Sequence, residues 1–141
     1  KAEAVRVAER HGLSVVFVAN AWLQVPRAPR VRVQVVSGAF DAADDWIVDQ
    51  ARRDDIVITA DTPLASRCLK LGARVLGRAG KPFTEDNIGN ALAARELMAD
   101  QRAYGVGGGP PPFSPKDRSR FLEALERVVR EARRAFDPTR Q

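Results

Sequence analysis

The 141-residue chain contains a single cysteine, Cys68, and a single histidine, His11. One cysteine cannot form an internal disulfide, which is compatible with a reducing compartment, and we predict a cytoplasmic protein. Cys68 lies in an apolar helical pattern, which predicts a buried thiol rather than a nucleophile. His11 precedes Gly12 at the end of a predicted helix, a pattern typical of a helix C-terminus. The scarcity of both residues argues against histidine-based catalysis and against a histidine-rich metal site.

Long apolar runs are also lacking. None approaches the roughly 18 residues that a membrane span needs, so we expect no insertion into a membrane. The length and a hydrophobic content of 45% fit one globular domain with its own core. Nothing in the sequence indicates an oligomeric state.

Positive charge is what the chain has in excess. The net charge is +5 and the sequence pI is about 10.1, a balance that favours acidic partners such as nucleic acid. Arg27 and Arg30 lie near a group of acidic residues in sequence and are predicted to contact phosphates. A solvated helix face is the simpler interpretation of the arginines on the last predicted helix. These are Arg127, Arg130, Arg133 and Arg134.

Apolar runs alternate with helical patterns along the chain. Residues 13–19 form a near-continuous apolar run, typical of a strand buried on both faces, and residues 55–59 predict a second buried strand. Residues 31–36 alternate at first, which predicts a half-exposed strand or an edge strand. A shorter strand is expected at residues 74–76.

Helical patterns fill the intervals between these strands. They cover residues 2–9, 42–53, 63–71, 84 to about 103 and 115 to about 136. A Gly/Pro-rich loop at residues 105–113 connects the last helix to the rest. Together these features predict one α/β domain over residues 1–141, with three layers, a mainly parallel sheet flanked by helices, and a C-terminal helix. The first helix has no strand before it, so we expect a segment preceding Lys1.

Polar side chains follow three of the predicted strands. Asn20 follows the first, Asp41 follows the second with Asp44 and Asp45 close behind, and Asp61 follows the third. A parallel sheet binds ligands beyond the carboxyl ends of its strands, so these side chains are expected along one edge. We call Asp41, Asp44, Asp45 and Asp61 the acidic rim.

Each carboxylate of the acidic rim has a structural alternative. Asp41 is predicted to cap the following helix, with Asp44 at the third helical position and Asp45 favouring the helix dipole. Asp61 differs, because Pro63 suits the first helical position and makes Thr62 the natural cap. Crowded carboxylates repel one another unless cations neutralise them, and oxygen ligands suit Mg²⁺ or Mn²⁺. The rim therefore predicts a metal site that includes Asp61.

Several segments together resemble the bacterial YaiI/YqxD family, over almost the whole chain. They are Val18–Asn20, Gly38–Val48, Asp55–Ala65, Gly108–Pro110, and Lys116–Arg118 with Phe121. By resemblance that family is grouped with PIN-like nuclease domains. Its members usually open with a strand that carries an Asp-x-Asp-Ala-Cys-Pro motif, followed by a lysine that Lys1 would match. The motif is not in these 141 residues, and in PIN-like nucleases its first aspartate is a metal ligand.

The resemblance implies a PIN-like fold with Asp44, Asp45 and Asp61 as catalytic metal ligands for Mg²⁺ or Mn²⁺, and Asn20 and Asp41 as further contributors. Two functions remain open. One is a metal-dependent phosphodiesterase or ribonuclease. The other is a non-catalytic module that binds RNA, a nucleotide or a protein through a residual acidic site. A small-molecule phosphatase would use the same metal site and differ from the first only in substrate.

Overall fold

A computed structural model of the chain describes residues 2–39, 41–77, 79–94 and 114–135. Within these ranges the helices are α1 (Ala2–His11), α2 (Ala42–Gln50), α3 (Thr62–Lys70), α4 (88–94) and α5 (Pro115–Ala135). The strands are β1 (Val15–Ala19), β2 (Val31–Val35), β3 (Ile56–Ile58), β4 (Arg74–Leu76) and β5 (Pro82–Phe83). The predicted α/β class is confirmed. The predicted loop at residues 105–113 and the predicted helical residues 95–103 lie outside the described residues.

The described strands form two small sheets, whereas the sequence predicts a single sheet flanked by helices in a three-layer domain. β1 pairs with β2 in parallel, from Val15 opposite Val31 to Ala19 opposite Val35. β3 pairs with β4 in parallel, and β5 adds to β4 antiparallel. Among the strands that the structure describes, β1 and β3 do not pair. The mainly parallel pairing is confirmed, and the sequence gives no sign of β5 because two residues carry no periodicity.

Strand burial differs from the prediction. The apolar run of β1 was expected to be buried on both faces, but all five of its residues are half-buried. In β3, Ile56 and Val57 are half-buried and Ile58 is exposed, so the prediction of a second buried strand is also wrong. A two- or three-stranded sheet has few neighbours to cover it, and apolar composition alone does not supply them. β2 is an edge strand, as its alternating pattern predicts.

The hydrophobic core has two clusters that share strand β4. Leu76, 0% exposed, packs with Val7 of α1 and with Phe121 of α5. Val75, on the opposite face of β4, packs with Leu64 and with the buried Cys68 of α3. Successive residues of a strand point to opposite faces, so the same short strand supplies both clusters. The prediction that Cys68 is buried is confirmed.

Helices α1 and α5 lie side by side and run in the same direction. Glu3 at the start of α1 pairs with Arg118 at the start of α5, with 3.0 Å between Oε1 and Nε. At the other end of α1, His11 Nε2 lies 2.7 Å from Glu126 Oε2, and Arg133 donates to the His11 carbonyl oxygen. These contacts join the two helices along the whole of α1. None of the described helices has the length and apolarity needed to cross a membrane.

Helix α5 begins with a capping box formed by Ser114 and Asp117. The backbone N–H of Asp117 donates to Ser114 Oγ and the backbone N–H of Ser114 donates to Asp117 Oδ2, each at 3.1 Å. This reciprocal pair satisfies two amides at a helix start, and it lowers the pKa of Asp117 because both Ser114 bonds favour the charged carboxylate. The next residue, Arg118, pairs with Glu3 of α1 rather than with an acid of its own helix start.

Replacing Leu76 with alanine tests the central place of β4. We expect Leu76→Ala to lower the free energy of unfolding by about 2–5 kcal/mol, because it leaves a cavity where two helices and a strand meet. Leu71→Ala is the matched control: Leu71 is 41% exposed and its truncation is expected to cost less than about 1 kcal/mol. Urea unfolding curves of the two variants and the parent measure both values. Equal losses would show that β4 is not central to the core.

Candidate active site at the carboxyl ends of the strands

Helix α2 runs from the carboxyl end of β2, in one sheet, to the amino end of β3, in the other. The chain leaves β2 at Val35 and enters α2 after Asp41, and it leaves β3 at Ile58 and enters α3 after Asp61. α2 contacts both β1 and α3. The charge of Asp61 acts on Asp44, so the carboxylates at the starts of α2 and α3 lie near each other although Asp45 and Asp61 are 16 residues apart in sequence.

Asp44 is the carboxylate on which the charges of the other three rim residues act. Its side chain is half-buried, and burial is the main reason why its pKa is raised above the ordinary value. The charges of Asp61, Asp41 and Asp45 raise the pKa of Asp44 further, and Arg67 opposes them. Like charges lower one another's tendency to ionise only when they lie close together. Asp44 and Asp61 therefore lie close enough for their charges to interact, and a shared metal site stays a prediction.

Asp61 is the N-cap of α3, which corrects the sequence prediction. Its Oδ1 accepts a hydrogen bond from the backbone N–H of Leu64 at 3.0 Å. Thr62, the predicted cap, is instead the first helical residue and is buried. Pro63 comes second, where a missing N–H costs nothing because first-turn amides have no partner within the helix. The proline fits either position, so it could not fix the cap. Capping engages Oδ1, one of two carboxylate oxygens.

Asp41 stands at the N-cap position of α2, but its side chain caps no described amide. Its backbone has a φ of 64°, in the left-handed region that aspartate tolerates better than most residues. The Asp41 carbonyl oxygen accepts from the N–H of Asp45 at 2.8 Å, so the helix starts on a backbone bond. The predicted side-chain cap is therefore wrong. The carboxylate is exposed and acts on Asp44 through its charge.

Asp45 pairs with Arg67 of α3, a residue that sequence analysis missed. The Asp45 Oδ1 to Arg67 Nη1 distance is 2.9 Å. Both side chains are well exposed, 64% and 43%. Exposed ion pairs contribute only about 0–1 kcal/mol, so Asp45 can exchange this partner for another cation at little cost. No local pattern points to Arg67, because its partner lies on another helix.

The two arginines predicted to contact phosphates lie away from the rim. Arg30 directly precedes β2 and donates to the carbonyl oxygen of Gly12, just before β1. Since β1 and β2 are parallel, Arg30 is at the amino ends of the strands, the edge opposite the rim. Arg27 is exposed in the same β1–β2 connection and makes no hydrogen bond or ion pair within the described ranges. Asn20 is exposed directly after β1, at the carboxyl edge as predicted.

The donors of the rim are all carboxylate oxygens, with the amide of Asn20 at the same edge of β1. Such a set suits Mg²⁺ or Mn²⁺, since both prefer oxygen ligands. The described part of the chain has no group of three or more His, Cys, Asp or Glu side chains already arranged to hold a metal ion. The negative charge gathered around Asp44 suits a cation. Asp45 can bind such a cation only after its ion pair with Arg67 opens.

Comparison with known proteins identifies the family. The family model described as the uncharacterised YaiI/YqxD family matches residues 1–131. The chain belongs to the YaiI/YqxD family. This confirms the resemblance carried by segments such as Gly38–Val48 and Asp55–Ala65. No solved structure matches the chain, so the PIN-like fold stays a prediction.

Bacterial relatives of the family are similar over nearly the whole chain. A UPF0178 protein of Nitrobacter winogradskyi is 54% identical over 136 residues, which cover 96% of this chain and 87% of that protein. The UPF0178 protein of Rhodospirillum rubrum is 55% identical over 136 residues, covering 95% and 91%. That of Brucella suis is 55% identical over 137 residues, covering 96% and 85%. These names carry no activity, so function has to be argued from the site.

The cap formed by Asp61 gives a prediction about stability. We expect Asp61→Ala to lower the free energy of unfolding by about 1 kcal/mol, because the Leu64 amide loses its partner. Asp61→Asn keeps a side-chain oxygen at the cap and is expected to cost no more than a few tenths of a kcal/mol. Chemical denaturation of both variants measures the difference. Equal destabilisation by the two would contradict the cap.

Proposed function

We propose that this chain is part of a Mg²⁺- or Mn²⁺-dependent phosphodiesterase that cleaves RNA, with its active site at the acidic rim. The observation that carries the proposal is the gathering of Asp41, Asp44 and Asp61 at the starts of α2 and α3, with Asp44 half-buried among them; burial and the neighbouring charges raise the pKa of Asp44. A fold gains no stability from gathering half-buried like charges. Such an arrangement is typical of a functional site that takes up a cation.

In this proposal the residues of the rim have distinct tasks. Asp44 and Asp61 hold the metal, Asp61 through the carboxylate oxygen that does not cap α3. Asp45 joins them when it leaves Arg67, and the guanidinium of Arg67 is then free to contact a phosphate. Asp41 and Asn20 supply further oxygens at the same edge. A bound Mg²⁺ or Mn²⁺ ion would supply an activated water and stabilise the leaving oxygen of the phosphodiester.

A second candidate is a non-catalytic module that binds RNA, a nucleotide or a protein. Two observations favour it. Asp45 is engaged by Arg67 and Asp61 is engaged in capping, so two of the three predicted ligands already have structural partners. The described residues also contain no preassembled metal group. The two candidates differ in what neutralising Asp61 does to RNA binding and to RNA cleavage.

Cleavage of single-stranded RNA by the full-length protein tests the proposal. We expect cleavage with Mg²⁺ or Mn²⁺ and none with EDTA. Asp44→Asn and Asp61→Asn are each expected to lower kcat/KM at least about 100-fold, because each removes a charged ligand. Asp61→Asn preserves the helix cap, so its effect reports on the charge alone. Asp49→Asn is the control: Asp49 is an exposed acid on the same helix α2.

The outcomes separate the candidates. If Asp61→Asn cleaves as fast as the parent, the role of Asp61 as a ligand is wrong. If the parent binds RNA without cleaving it under any metal condition, and Asp61→Asn binds as well or better, the non-catalytic module is the correct function. A loss with Asp49→Asn equal to that with Asp44→Asn would show that the assay reports net charge rather than the rim.

A further inference from the structure

A groove between α1 and α5 carries a second concentration of charge, distinct from the acidic rim. Its apolar floor includes Val7, which is buried, and Leu122, which is half-buried. Its walls bear two arginines from each helix. We call these four residues the arginine groove: Arg6, Arg10, Arg127 and Arg130. Glu123 and Glu126 of α5 also line it, so four positive charges face two negative charges.

One of the two glutamates is already neutralised by neighbours. Glu126 contacts Arg10 Nη1 at 2.6 Å and His11 Nε2 at 2.7 Å. The pKa of Glu126 is lowered, first by the hydrogen bond with His11 and then by the charges of Arg10 and of Arg130. This pairing locks Arg10 and Glu126 in place across the two helices. It leaves the other three arginines to set the charge of the groove.

Arg6, Arg127 and Arg130 are exposed, and none of them forms a hydrogen bond or an ion pair with another described residue. Arg133 differs from these three, because its guanidinium donates a hydrogen bond to the His11 carbonyl oxygen. Three guanidinium groups therefore face solvent along one concave surface, with apolar side chains beneath them. Arg6 comes from α1 and Arg127 and Arg130 from α5, so the exposed faces of two helices contribute to one groove.

We propose that the arginine groove binds the phosphate backbone of a single-stranded RNA. Arg127 and Arg130 are three residues apart on α5, about 4.5 Å along its axis, and Arg6 lines the same groove from α1. Successive phosphates of a strand can be met in this way by successive guanidinium groups, each of which binds phosphate oxygens through two N–H donors. Leu122, which is half-buried, offers an apolar surface for a sugar. The choice of RNA rests on the proposed function, whereas the groove and its charge do not.

RNA binding without metal tests this inference separately from cleavage. The probe is a 5′-labelled single-stranded RNA, titrated with the full-length protein in EDTA and followed by fluorescence anisotropy at several salt concentrations. We expect Arg127→Gln combined with Arg130→Gln to raise Kd about tenfold near 100 mM salt. The slope of log K against log salt should fall by roughly 1.4, since each lost phosphate contact to a single strand removes about 0.7.

Two control variants make the result specific. Lys70→Gln with Lys81→Gln removes the same charge from exposed positions outside the groove, and is expected to leave Kd within about twofold. Arg127→Lys with Arg130→Lys keeps the charge and should restore most of the slope. Thermal unfolding by circular dichroism shows that each variant is folded.

Three results would overturn the inference: no RNA binding by the parent, equal Kd for parent and groove variant, or equal losses in the Lys70/Lys81 control. Competition by polyglutamate as strong as by RNA would also overturn it, in favour of an acidic protein partner. RNA that is bound but never cleaved would leave the groove standing and refute the phosphodiesterase. Cleavage together with an unaffected groove variant would refute the groove alone.

Discussion

Burial of both faces of β4 is the constraint on which the rest of the fold depends. Leu76 holds α1 and α5 on one face, and Val75 holds α3 on the other. Three residues of strand thus fix the position of three helices. The start of α3 is set by the same packing, because Leu64, whose backbone N–H is bound by Asp61, is itself part of the second core cluster. The hydrophobic core therefore determines where the Asp61 carboxylate lies.

The acidic rim works against this stability. The pKa of Asp44 is raised in the folded chain, so its contribution to stability is fully present below the ordinary value of 3.8 and is lost as pH rises through the folded pKa. Ionisation of the half-buried Asp44 therefore destabilises the fold. The amino termini of α2 and α3 offset part of this cost, since helix dipoles favour negative charge there. The remaining charge is what a bound cation would neutralise.

Much of the architecture was predictable from local patterns. The α/β class, four of the strands, the capping box of Ser114 and Asp117, and the buried Cys68 follow from periodicity and from neighbouring residues in sequence. The predictions that were wrong concern features that depend on tertiary neighbours. The half-buried state of β1 depends on how many strands flank it, and the pairing of Asp45 with Arg67 depends on how α2 packs against α3. The prediction of Thr62 as the cap of α3 was wrong for a local reason, because Pro63 fits two helical positions equally well.

In the proposed function, the crowded carboxylates of the rim form a cation site. A direct test is the pKa of Asp44 in the full-length protein, followed by ¹³C NMR of its carboxyl carbon with and without Mg²⁺ at matched ionic strength. Without Mg²⁺ the pKa should lie above the ordinary value, and Mg²⁺ should lower it because the ion favours the charged carboxylate. A pKa of Asp44 that is the same with and without Mg²⁺ would contradict the account.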